Sequence, residues 1–159
     1  MPHIHDLYDF TVSFYILHPN EKKLCLHFHR KLDTWNQLGG HIELDEDPME
    51  SLERELLEEA GLSPDDYTIA ADRSYPEIRG VKSYPAPFSV VIYNYGDSPH
   101  KHIDLPYVIK SKKSKLEPQE GESAQIDWFN LEEIRIMHEN KEIQDSTMDM
   151  CEWVFNKYV

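Results

Sequence analysis

The sequence predicts one α/β domain, a mixed sheet with helices on both faces, and three stretches carry that expectation. Phe10, Val12, Phe14 and Ile16 alternate with Thr11, Ser13 and Tyr15, and Leu24, Leu26 and Phe28 alternate with Cys25, His27 and His29 across the polar HPNEKK. Period-two alternation either side of a polar connection reads as strand, turn, strand. Second, Asp47-Pro48-Met49-Glu50 combines an N-cap, a proline at the first helical position and a glutamate three after the cap, with Gly61 as the stop and Pro64 beyond it; this bounds a helix by local chemistry at both ends. Third, Ile143, Thr147, Met150, Cys151, Val154 and Tyr158 recur at helical spacing and predict a C-terminal helix packed by one stripe.

Between these, further strands are expected near Tyr67 to Ala71, Phe88 to Tyr95, His102 to Ile109 and Ile126 to Phe129, and a helix over Leu131 to Met137. No repeat and no linker interrupts residues 1 to 159. Strands mixed with three helices argue for layers, with helices covering the sheet on both sides.

Composition narrows the class of function. The 159 residues are 40% apolar, 11% aromatic and 29% charged, an ordinary globular balance. Thirty acids against sixteen bases leave a formal charge of −14, which opposes stable binding to nucleic acid or to anionic membranes. No apolar run approaches the roughly 18 residues of a membrane span, and MPHIHDLYDF lacks a basic segment followed by an apolar one, so a cytoplasmic protein is expected. Cys25 and Cys151 are too few for a disulfide framework.

The helix after Asp47 poses a physical problem. Glu55, Glu58 and Glu59 share an arc of roughly 100° beside the apolar stripe of Met49, Leu52, Leu56 and Ala60. Like charges at these spacings repel by a few tenths of a kcal/mol per pair, and Arg54 is the one basic neighbour between Pro48 and Leu62. A hard divalent cation would offset the repulsion, since Mg²⁺ takes one or two carboxylates together with waters and phosphate oxygens.

Residues 40 to 62, GHIELDEDPMESLERELLEEAGL, resemble the Nudix box of the Nudix hydrolases, in which Gly40, Glu46, Arg54, Glu55, Leu56, Glu58, Glu59, Gly61 and Leu62 fill all nine fixed positions. Trp35 and Gly39 before the box and IDWFNLEEI after it are similar to weaker family features, while Leu38 stands where many members have proline. The resemblance implies an α/β/α sandwich. It also implies Mg²⁺- or Mn²⁺-dependent hydrolysis of a nucleoside diphosphate linked to another group, by attack of water on phosphorus. Carried over by position, Glu55, Glu58, Glu59 and the Gly40 carbonyl would hold metal, and Arg54 and Glu46 would orient the glutamates. The general base would be a box glutamate, Glu58 or Glu55, or one on a distant loop, Glu120 or Glu122. The contrasting expectation is a non-catalytic Nudix-like module that senses a nucleotide.

Arg30 and Lys31 are the expected phosphate contacts, with Gly39 and Trp35 beside them as substrate-binding candidates. Trp35, Tyr8 and Phe10 could stack on a nucleobase, though core packing is the simpler expectation for all three. Lys110, Lys112, Lys113 and Lys115 read as a solubilising strand end. Nine histidines invite a zinc reading, but His3/His5, His27/His29 and His100/His102 are spaced by two without any cysteine pair, and strand or tail positions are expected for them. Pro76 and the SYPAPFS segment carry no assignment, and the oligomeric state stays open, a homodimer included.

Overall fold

Strand β1 (Tyr8–Leu17) is the centre of the molecule. In the computed structural model, which describes residues 4–71 and 75–159, β1 pairs on one side with β7 (Lys101–Ser111) in parallel over ten register pairs. It also pairs antiparallel with β2 (Leu24–His29) and with β4 (Leu38–His41). The remaining strands are β3 (Thr34–Asn36) and β8 (Ile126–Phe129) on β2, and β5 (Tyr67–Ala70) and β6 (Val91–Asn94) on β7. Helix α1 (Pro48–Ala60) covers one face, and α2 (Leu131–Glu139) with α3 (Asp145–Tyr158) covers the other.

The alternation in β1 is what separates the two layers. Val12, Phe14 and Ile16 meet Met49, Leu52, Leu56 and Ala60 of α1, while Tyr15 and Leu17 meet Ile134, Met137, Val154 and Phe155. Cys25 and Cys151 fall in opposite cores, which keeps them apart. Both ends of α1 follow the local chemistry. Asp47 accepts from the Met49 and Glu50 N–H groups, Glu50 reaches back to the Asp47 N–H, and Gly61 closes the helix at φ 68°.

Three expectations are corrected. No strand is expected over Thr34–His41, yet β3 and β4 lie there: neither alternates, and they become strand only by pairing, β3 with β2 and the glycines of β4 with β1. Phe88 lies outside β6, its N–H donating to the Pro106 carbonyl from an irregular segment. Tyr8 and Phe10 are not core residues: they are 42% and 47% exposed, since the apolar stripe of α1 ends over Val12.

The lysine cluster pins the end of β7 to the turn before β5: Lys112 donates to the Asp65 carbonyl and Lys113 pairs with Asp66. No helix among the described residues is long and apolar enough to cross a membrane.

Candidate active site

Two overlapping hollows adjoin α1: one of about 280 Å³ between α1, β1, β4 and β7, and one of about 670 Å³ lined mainly by residues 27–32 and 121–123. Glu55, Glu58 and Glu59 all line the smaller one, opposite Thr11, Ser13, Tyr93 and Asp104, and Gly39 and Gly40 form its wall. The helical stripe of carboxylates therefore faces a cavity and not open solvent. β4 fits against α1 only because its glycines lack side chains. A Cβ on Gly40 would run into the Glu55 carboxylate, and one on Gly39, at φ 144°, would run into the Val12 carbonyl.

Arg54 organises the carboxylates. Its guanidinium forks onto both oxygens of Glu46, and its Nη1 donates to Glu55 at 2.7 Å and to Glu58 at 3.1 Å. Nη2 also donates to the His41 carbonyl, tying α1 to the end of β4. The contact with Arg54 holds Glu46 below the usual carboxylate range. Glu59 instead accepts from the Gly39 N–H at 2.7 Å and lies 3.7 Å from His27.

Burial, followed by the negative charge of Glu55, pushes Glu59 up to about 9. Glu55 is raised in the same direction by burial, against the pull of Arg54. Burial drops His27 to about 4, so it offers Glu59 no positive charge near neutrality. Glu55, Glu58 and Glu59 line one hollow without bringing an oxygen each within 4.8 Å of the others; a hard dication such as Mg²⁺ or Mn²⁺ would suit carboxylates that burial penalises as anions. A pH signature follows. Glu59 titrates at about 9 folded against an ordinary 4.5, so the folded chain holds an extra proton between those values; the stability it contributes is complete below about 4.5 and gone above about 9. Chelator-treated protein should lose melting temperature as pH rises through that window, and Mg²⁺ should restore more of it at the alkaline end. Glu59→Gln should flatten both trends in a pH series of melting curves; a Mg²⁺ shift independent of pH would contradict this account.

The other sequence candidates are scattered. Glu122 lines both hollows, whereas Glu120 is exposed and lines neither. Arg30 and Lys31 stand at the edge of the larger one. Trp35 lines neither cavity; it sits edge-on to Phe28 and Phe129, packed against the α2/α3 core, which accounts for its ring without a ligand.

Sequence reasoning missed Thr11, Ser13 and Asp104. Asp104 is buried and accepts from both hydroxyls, Thr11 Oγ1 at 2.7 Å and Ser13 Oγ at 2.5 Å, and burial raises its pKa. The signal was present in β1, where Thr11 and Ser13, like Asp9, interrupt a largely apolar strand. It also missed a gathering of Asp9, His41, His100 and His102 at one end of the same sheet face. His3 lies outside the described residues.

The family model described as "NUDIX domain" matches residues 8–150. The chain belongs to the Nudix family. A relative named "Probable DHNTP pyrophosphohydrolase" from Lactococcus lactis subsp. cremoris is 30% identical over 119 residues, 75% of this chain; the chain spans only 55% of that longer protein. A solved NUDIX-family hydrolase from Clostridium perfringens is 30% identical with TM-score 0.73, covering 96% of this chain and 99% of the other. The E. coli dihydroneopterin triphosphate pyrophosphohydrolase, 12% identical with TM-score 0.66, covers 94% of this Nudix chain and 98% of its own, a likeness of fold.

Proposed function

We propose that this Nudix protein is a divalent-metal-dependent pyrophosphohydrolase acting on a nucleoside diphosphate linked to another group, by attack of water on phosphorus. One observation carries the reading: Glu55, Glu58, Glu59 and Glu122 meet the Gly39–Gly40 backbone around a single hollow. The bound cation would neutralise charge on the diphosphate and acidify water. The chain's own work is positioning, which phosphoryl transfer chiefly requires. Glu55, Glu58, Glu59 and the Gly40 carbonyl would hold the ion, and Arg54, anchored by Glu46, keeps Glu55 and Glu58 aimed into the cavity. Glu58 or Glu122 takes the proton of the attacking water. Arg30 and Lys31 at the edge meet outer phosphate oxygens.

Two of the similar proteins are named for dihydroneopterin triphosphate, so pterin triphosphate joins nucleoside triphosphates and nucleotide sugars as the substrates to try. The test is that panel with Mg²⁺ or Mn²⁺ in heavy-oxygen water, with the labelled product identified. Release of a monophosphate product or pyrophosphate from one substrate class supports the reading. Tight binding of one nucleotide with no hydrolysis of any would replace it by a nucleotide sensor.

A further inference from the structure

Asp9, His41 and His102 come from three adjacent strands, with His100 just before the third, and the ladder explains why they meet. Asp9 is in register with His102 across the parallel β1–β7 pair, and Thr11 is in register with His41 across β1–β4. Alternation therefore puts Asp9, His41 and His102 on one face, and His100, two residues before His102, joins them. Asp9 is fully buried and His100 almost so. Among the described residues, Asp9, His100 and His102 are the one trio whose ligand atoms all lie within 4.8 Å of one another.

The Asp9–His100 distance is that of two ligands on one ion, whereas His41 neighbours the Asp9 carboxylate from outside the trio. Asp9 Oδ2 is 3.4 Å from His41 Nε2 and 3.3 Å from His100 Nε2. Bonds of about 2.0–2.1 Å to a tetrahedral ion place neighbouring ligands about 3.3 Å apart, whereas a charge-assisted hydrogen bond closes to about 2.7–2.9 Å. The surroundings orient the donors as metal sites do. His100 Nδ1 donates to the Asp6 carbonyl at 3.2 Å, which turns Nε2 toward Asp9, and His102 Nδ1 meets the Tyr95 hydroxyl at 3.1 Å. The Asp9 carboxylate is itself fixed by the Ile4 and His5 N–H groups.

We propose that Asp9, His100 and His102 form a three-ligand site for a zinc-type transition-metal dication, separate from the carboxylate site on α1, with His41 beside the Asp9 carboxylate. Two imidazoles and one carboxylate select such an ion over Mg²⁺, and a water completes the tetrahedron. The ion would staple residues 4–9 to the start of β7, where His102 lines the catalytic hollow.

Cobalt(II) titration of chelator-stripped protein tests this without reference to activity. Wild type should show the intense visible bands of tetrahedral cobalt at about one ion per chain, displaced by zinc. His100→Gln should weaken binding at least tenfold, while Glu58→Gln should leave the bands unchanged. No tetrahedral bands in wild type overturns the proposal. So does full retention in His100→Gln or loss in Glu58→Gln, since either would locate the ion elsewhere. If His100→Gln does not fold, His102→Gln replaces it; if neither folds, the wild-type spectrum decides.

Discussion

Glu58→Gln should lower turnover by roughly 10²–10⁴-fold, the range for losing a general base, with the fold intact. Glu58 faces the cavity and its side chain keeps about a third of its exposure, so an amide of the same size fits without repacking. The substitution removes an anionic oxygen where cation and attacking water would meet. It relieves repulsion with Glu55 but gives up the ion pair with Arg54, so the metal-free melting temperature should change little. Steady-state kinetics with a melting curve reads both effects. A kcat/KM within about threefold of wild type would remove Glu58 from the mechanism, and a collapse of melting temperature would mean that it serves the fold instead.

Arg54→Leu should cost about 2–3 kcal/mol of stability, somewhat below the loss from breaking a fully buried pair because the guanidinium keeps a quarter of its surface in water. The change strands Glu46, Glu55 and Glu58 together and cuts the bond to the His41 carbonyl. Arg54→Lys separates charge from geometry. An ammonium supplies the charge but cannot fork onto Glu46 while reaching Glu55 and Glu58, so it should recover part of the stability and little of the turnover. Urea denaturation of both variants is the measurement. A loss under about 1 kcal/mol for Arg54→Leu would class the cluster with surface pairs, and full activity in Arg54→Lys would show that the fork does not orient the glutamates.

How much of this could be read beforehand differs between elements. The Asp47 cap, the Gly61 stop and the stripe from Met49 to Ala60 act over a few residues, and the structure has them as the sequence describes. The strands at Thr34–His41 could not be read, as nothing in WNQLGGH alternates. Trp35 was an ambiguous candidate, because a large ring next to a site motif looks the same whether it will meet a ligand or Phe28 and Phe129. Glu120 and Glu122 were indistinguishable in EPQEGES, and only the course of the loop after Gly121 puts the second at the cavity wall.

The sequence by itself determined α1 and its acidic face, and with them the family, because capping and the 3.6-residue period operate within one turn or two of chain. The tertiary structure alone decided what that face opposes. Thr11 meets Asp104, and Asp9 meets His100, across more than ninety residues, through a parallel register that no local pattern encodes. Spacing along the chain made the histidines look like unrelated pairs; pairing across β4, β1 and β7 made them neighbours, since strands about 4.8 Å apart bring side chains on one face within reach whatever their separation in sequence.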